Sequence, residues 1–131
     1  MSNTLTTFQS DVLLGTVQSG DLGYSFTEAT VTIKAGMKMG AALESTSVAG
    51  KFTWVVTDTA ANCDAVLIDP RAEGYAETLP AGDHTLVIAQ RGVTINKAFF
   101  ALDGGLDATA AIAAFEKAGA NKVTDKVSGR I

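Results

Sequence analysis

Residues 82–122, GDHTLVIAQRGVTINKAFFALDGGLDATAAIAAFEKAGANK, contain the pattern that decides the fold. Within this stretch, residues 85–95 are rich in β-forming types and are interrupted by Arg91 and Gly92, which is typical of two strands joined by a turn. After a break at residues 103–105, apolar residues recur at helical spacing. The stretch therefore predicts strands followed by one alanine-rich helix, and it contains no recognisable active site.

The predicted helix has residues suited to both of its ends. Asp107 is the expected N-cap, because its carboxylate can accept hydrogen bonds from the free N–H groups of the first turn. Gly119 is expected to close the helix in the left-handed conformation, and Lys117 suits the negative C-terminal end. The face expected to be buried consists of Ala108, Ala111, Ile112, Phe115 and Ala118.

Length and composition predict one soluble globular domain. The chain has 131 residues, of which 47% are hydrophobic, and this is enough for a single core. Its net charge of −4 argues against a nucleic-acid surface, which needs clustered Lys and Arg. Cys63 is the one cysteine, so an intrachain disulfide is excluded. We see no signal peptide and no apolar run of membrane-spanning length, and we expect synthesis in a reducing cytoplasm.

The other strands are predicted at 11–18, 29–35, 37–43, 51–57 and 65–68; alternation of apolar and polar residues indicates the second, and a continuous apolar run indicates the last. In the second of these, Val31 and Ile33 are expected on the buried face. In the third, Met37 and Met39 are expected on one side, and Gly40 is expected to allow a close backbone approach.

One aromatic group is expected to anchor the core. Phe52, Trp54 and Val56 lie at alternate positions of a predicted strand and so share one face. Residues 69–81 contain two prolines and three acids, and we interpret them as an excursion over the surface. This excursion is long for a loop without secondary structure, which suggests a functional surface.

The residue types needed for catalysis are scarce. His84 is the only histidine, and its place after Gly82 and Asp83 favours a turn residue. Cys63 has no neighbouring cation to lower its pKa, which favours a structural role. Six acids are spaced across different elements and are interpreted as a solvated face: Asp58, Asp64, Asp69, Glu73, Glu77 and Asp83. The sequence therefore predicts no enzyme, no metal site and no cofactor.

A short motif leaves open a different class of function. Residues 36–39, GMKM, resemble the Met-Lys-Met hairpin tip of biotin carrier domains, in which the lysine is biotinylated; here that lysine is Lys38. Gly36 stands where that family has Ala, and Ala35 stands where it usually has an acid.

The N-terminus is expected to be a flexible arm ahead of a single domain at 11–131. Residues 2–10 are mostly Ser, Thr, Asn and Gln, and they include Leu5 and Phe8 as the only large apolar side chains. Such a segment cannot bury enough surface to order itself. We expect it to be mobile in the free protein and to become ordered on a partner.

The order of these features resembles the phage head decoration protein family, whose best-known member is the lambda capsid-stabilising protein. Four segments carry the resemblance: IKAGMKMG at 33–40, AVLI at 65–68, LVIAQRGVTI at 86–95 and AAIAAFEKAGANKV at 110–123. The resemblance implies a mainly β, hairpin-built, β-barrel-like (β-tulip-like) fold with one late helix. It also implies a structural role without catalysis.

In that family, trimers sit at local threefold positions on the outside of an expanded capsid and cement it. The N-terminal arm adds to strands of the major capsid protein, so the resemblance implies Leu5, Phe8, Val12 and Leu13 as capsid-contact residues. The implied partners are the major capsid protein and other copies of this chain, with no nucleic acid and no membrane. Another virion component, such as a tail or fibre-base protein, remains an alternative, as does a biotin carrier.

Overall fold

A computed structural model describes residues 12–16, 25–34, 36–71, 82–104 and 108–125. The elements in chain order are β1 (Leu13–Thr16), β2 (Phe26–Ile33), β3 (Ala42–Ser45), β4 (Lys51–Trp54), a first 3-10 helix (Thr57–Asn62), β5 (Ala65–Leu67), β6 (Gly82–Ala89), β7 (Val93–Asn96), a second 3-10 helix (Lys97–Phe99), α1 (Thr109–Gly119) and β8 (Lys122–Thr124). The prediction of a mainly β fold with one late helix is confirmed.

Five strands close into a barrel in the order β2-β4-β3-β5-β6. β2 and β6 pair antiparallel along their whole length, from Phe26 opposite Ala89 to Ile33 opposite Gly82. β2 and β4 run parallel, whereas the other neighbours run antiparallel. Closure gives each of the five strands a neighbour on both sides, which protects their backbone edges. A second sheet has three strands in the order β1-β7-β8, with β1 antiparallel and β8 parallel to β7.

The barrel encloses the first core. Val31 and Ile33 alternate into it from β2, as the sequence predicted, and both are fully buried. The members of this barrel core are Ala29, Val31, Ile33, Met37, Ala41, Leu43, Phe52, Trp54, Ala65, Leu67, Leu86 and Ile88.

A second core lies outside the barrel and is covered by α1. Phe115 of α1 is fully buried there, and its ring centroid is 6.0 Å from that of Phe100. The members of this second core are Val12, Met39, Ala42, Val55, Ala60, Cys63, Val66, Ile68, Ala89, Val93, Ile95, Phe100, Leu102, Ala111 and Phe115. β5 separates the two cores, with Ala65 and Leu67 in the first and Val66 in the second. This double burial explains why residues 65–68 are uninterruptedly apolar.

The ends of α1 differ from the prediction. Ala108, not Asp107, occupies the N-cap position, without a side-chain cap; Asp107 itself lies outside the described residues. At the other end, Ala120 takes the left-handed conformation (φ 53°), and Gly119 is the last helical residue. Gly119 is needed for a different reason, since a Cβ there would collide with the carbonyl oxygen of Gln90. Ala118, predicted to be buried, is exposed.

Residues 37–43 do not form the predicted continuous strand. Gly36 and Gly40 have φ of 85° and 96°, and the strand starts only at Ala42. Met37 and Met39 are both buried but lie in different cores, so they do not share a side. The predicted close approach at Gly40 is confirmed, because a Cβ there would collide with the carbonyl group of Phe99.

Three further predictions change in detail. Phe52 and Trp54 are buried in the barrel core as predicted, but Val55 is buried in place of Val56, because β4 ends at Trp54. His84 lies inside β6 rather than in a turn. The predicted surface excursion is described only at residues 69–71, and its remainder lies outside the described residues.

Candidate functional site

β1 is an edge strand of the three-stranded sheet. It pairs with β7 on one side, and no strand in the described ranges pairs with its other side. A shift of register between Leu13 and Gly15 places a bulge at Leu14. An open backbone edge offers N–H and C=O groups to another chain, and a bulge twists the strand so that unselected pairing is discouraged. β1 is therefore a place where a partner strand can add.

The four residues predicted to contact a partner have different positions relative to this edge. Val12 is fully buried in the second core, and Leu13 is partly buried against it. Contact through Val12 would require its side chain to leave that core, whereas Leu13 has surface to offer. Leu5 and Phe8 lie outside the described residues. The first described residues after them are Val12 and Leu13, and Leu13 lies directly opposite Ile95 of β7.

A groove of about 250 Å³ lies at one end of the barrel. Its lining residues, which define the barrel-end groove, are Gly36, Lys38, Met39, Ala41, Trp54, Ala98, Phe99 and Ala101. Two of the lining residues are joined by a hydrogen bond, in which the indole Nε1–H of Trp54 donates to the carbonyl oxygen of Ala101 at 3.0 Å. The same carbonyl accepts from the backbone N–H of Ala42 at 2.8 Å.

The chemistry of the barrel-end groove is apolar. Among the described residues, every buried side-chain nitrogen and oxygen has a hydrogen-bond partner. The groove therefore presents no unsatisfied buried side-chain polar atom that would orient a polar ligand, and apart from Lys38 the side chains that line it are apolar. Lys38 is exposed at its rim, between the buried residues Met37 and Met39.

Sequence reasoning missed the second 3-10 helix as a surface element. Its turn separates two adjacent phenylalanines, so that Phe100 is buried while Phe99 remains partly exposed in the groove wall. Asn96 caps this helix by accepting from the backbone N–H of Ala98 at 3.1 Å. The signal was present as an Asn before a short apolar run, but the segment is too short for periodicity to reveal.

The single cysteine is held in an unreactive state. Cys63 is buried in the second core, and its Sγ lies 3.6 Å from the carbonyl oxygen of Ala65. Burial raises the pKa of its thiol to about 12, so at neutral pH it is protonated and a poor nucleophile. The described ranges contain no group of three or more His, Cys, Asp and Glu side chains placed to hold a metal ion.

One acid expected on a solvated face is instead buried. Asp69 follows the buried Ile68, and its carboxylate accepts from the Arg71 guanidinium at 2.7 Å and from the backbone N–H of Val87 at 3.1 Å. Burial by itself disfavours the charged carboxylate, but these hydrogen bonds outweigh it and lower the pKa of Asp69. The expectation of a solvated face was wrong for this residue, which joins the chain after β5 to β6.

Two other acids bind neighbouring strands. Burial raises the pKa of Asp64 despite hydrogen bonds from the side chain and backbone of Ser45. Hydrogen bonds from Thr32 and Lys51 lower the pKa of the exposed Asp83. These carboxylates hold strands together and are not gathered into one site. None of the described helices has the length and apolar character required to cross a membrane.

Comparison with known proteins agrees with a virion role. A family model described as bacteriophage PhiTE minor capsid decoration protein matches residues 1–131. No curated protein matches the chain. The prediction of a phage head decoration protein, made from the order of strands and helix, is thereby confirmed. Because the match extends over every residue, the chain belongs to the family of the bacteriophage PhiTE minor capsid decoration protein.

Proposed function

We propose that this chain binds an expanded phage capsid as a trimer at local threefold positions, contacts the major capsid protein and cements the shell. Family membership makes it a structural protein of the virion, located on the capsid exterior. The trimer and the threefold position are supported by the resemblance to the lambda capsid-stabilising protein. The observation that carries the mode of attachment is β1, the edge strand that begins at Leu13, shortly after the predicted arm in sequence.

Attachment through this arm follows from the physics of an open strand edge. When a strand adds to an edge, backbone groups of both partners gain hydrogen bonds, and side chains at alternate positions can enter pockets. Leu5 and Phe8 are the apolar groups that the polar arm can offer to such pockets. Leu13 extends the same surface into β1, where it packs partly against the second core. We propose these three residues as contacts, with Val12 contributing only if it leaves the core.

The role proposed here involves no catalysis. The buried, protonated Cys63 supports this, because it does not provide an activated nucleophile. The family match favours capsid decoration over a tail or fibre-base protein. It also favours decoration over a biotin carrier, and the mass of the intact protein tests that alternative, since biotin would add mass at Lys38.

A binding titration on expanded, undecorated capsids tests the arm. Deleting residues 1–10 should abolish most of the binding while leaving a cooperative thermal melt, because the polar composition of this segment gives it little apolar surface to contribute to a core. The double variant Leu5→Ser, Phe8→Ser should reproduce much of the loss. Its matched control, Thr4→Ser with Thr7→Ser, changes the same segment but removes only two methyl groups and should bind like the unaltered chain. Unchanged binding by the truncated protein would show that the arm is not the anchor.

Electron microscopy of decorated particles tests the position and stoichiometry. We expect three copies of the chain around each local threefold axis on the outer surface. Density at any other position would refute this part of the proposal. Sedimentation of the free protein measures separately whether the trimer forms before binding.

A further inference from the structure

We propose that the barrel-end groove binds one apolar side chain of the major capsid protein. The protein would then contact the capsid at two adjacent places, the arm and the groove. This inference rests on the proposed function, in which the arm that enters β1 is the first point of attachment. The groove would be the second, provided by the folded body of the protein.

The position of the groove supports this inference. β1 and β7 are antiparallel, with Leu13 opposite Ile95, so the arm leaves the fold beside the C-terminal end of β7. β7 continues into the second 3-10 helix, whose Ala98 and Phe99 line the groove. Phe99 is four positions after Ile95, a span of at most about 14 Å. A surface that engages the arm close to its exit is therefore also close to the groove.

The walls of the groove determine the chemistry of its occupant. They comprise the indole of Trp54, the ring of Phe99, Met39 and three alanines, together with Gly36 and the exposed Lys38 at the rim, and the carbonyl of Ala101 is already occupied by two donors. A polar ligand entering such walls would lose its hydrogen bonds to water without compensation, whereas an apolar one would gain by leaving water. The occupant is therefore apolar.

The size of the groove limits the occupant to one side chain. A cavity of about 150 Å³ lined by apolar side chains holds a benzene molecule. At about 250 Å³, the groove has room for one aromatic or branched aliphatic side chain with part of its backbone. Such an anchor in an apolar pocket, at the centre of a contact, is where binding energy is usually concentrated.

Filling the groove tests the inference on the full-length chain. Ala98→Trp places a large side chain at an exposed position of the groove wall, where it should fold over and occupy the space. We expect its dissociation constant for expanded capsids to rise about tenfold or more, which corresponds to losing one buried apolar side chain. Ala118→Trp is the matched control, because Ala118 is equally exposed but lies on α1 and not in the groove wall; it should bind like the unaltered chain.

The outcome separates this inference from the proposed function. If Ala98→Trp binds normally and deletion of residues 1–10 abolishes binding, the groove does not contact the capsid, and the proposal that the arm is an anchor stands. Normal binding by the chain without residues 1–10 would instead refute the proposal that the arm attaches the protein to the capsid.

A cross-linking experiment identifies the occupant without depending on how Ala98→Trp folds. A benzophenone amino acid replaces Ala98, the protein saturates expanded capsids, and the sample is irradiated and analysed by mass spectrometry. Adducts with the major capsid protein support the inference. Adducts confined to the chain's own arm or to a second copy would overturn it, as would the absence of any capsid adduct.

Discussion

The barrel core and the second core are assembled in different ways. The barrel core is enclosed by five strands that hydrogen-bond to one another around a closed ring, and all of its members fall between residues 29 and 88. The second core draws residues from Val12 near one end of the chain to Phe115 near the other. One core is thus closed by backbone pairing, whereas the other is closed by packing a helix and a small sheet onto its outside.

The two cores are separated by strands whose residues belong alternately to one core and to the other, so global unfolding should involve both cores together. Adjacent residues of one strand point to opposite sides, so Ala42 belongs to the second core and Leu43 to the barrel core. β6 divides in the same way between Ile88 and Ala89. We therefore expect one cooperative unfolding transition. In local fluctuations of the native state, the elements that cover the second core should open first.

Trp54→Ala should have the largest effect, about 3–5 kcal/mol of unfolding free energy, because it removes a large buried ring from the barrel core. Urea unfolding followed by far-UV circular dichroism measures this loss. Trp54→Phe keeps an aromatic ring but loses the hydrogen bond to Ala101, and it should cost clearly less. A native protein whose indole fluorescence is red-shifted and easily quenched would contradict the burial of Trp54.

Phe115→Ala distinguishes the two cores most directly. We expect a cost of about 3–5 kcal/mol, because a fully buried ring is lost where α1 packs against Phe100. In native-state hydrogen exchange, protection should fall mainly in α1 and β8. The amides that pair β2 with β6 should keep more of their protection. Equal loss in every element would show that the second core has no independent opening.

Asp69→Asn should cost about 1–3 kcal/mol at neutral pH, because charge-assisted hydrogen bonds to Arg71 and Val87 are weakened. The folded state lowers the pKa of Asp69, so its contribution is complete above the unfolded pKa of about 3.9 and is lost as pH falls through the folded value. Urea midpoints between pH 6 and pH 2.5 should therefore fall less steeply in the variant than in the unaltered protein. A parallel pair of curves would exclude this role for Asp69.

Cys63→Ser should have the smallest effect, about 1 kcal/mol or less, because the serine hydroxyl can donate to the carbonyl of Ala65 that the thiol now faces. Capsid binding should be unchanged, since Cys63 is buried in the second core. In the folded protein, thiol reagents should react slowly. A variant that melts normally but no longer binds capsids would make this residue part of the contact.

The sequence predicted the barrel strands where a local pattern suffices. Val31 and Ile33 alternate with polar residues, and the run at 65–68 is apolar on both faces, so each pattern has one simple interpretation. Met37 and Met39 alternate in the same way, yet they lie in a turn and enter different cores. Alternation cannot distinguish these cases, because the positive φ of Gly36 and Gly40 appears only in three dimensions.

Local sequence patterns could not predict that the barrel closes or which residues form the groove, because both depend on contacts between residues distant in sequence. The parallel pairing of β2 with β4 rests on Thr30 opposite Lys51 and Val31 opposite Phe52, residues distant in sequence. The barrel-end groove likewise joins residues 36–41, Trp54 and residues 98–101. The N-terminal arm stays a prediction that rests on its polar composition, whereas the groove is lined mainly by alanines and aromatics that look like core residues in the sequence.

The arrangement of strands around β7 has a consequence for protein engineering. β1 begins opposite Ile95 and β8 ends opposite Asn96, so the first and last strands of the described fold both meet the same end of β7. A linker between them would need to span only the width of this small sheet, which makes the chain a candidate for circular permutation with new ends in the exposed loop at Val48. Cargo displayed from that loop would leave the fold well away in sequence from the predicted arm and from the first and last strands.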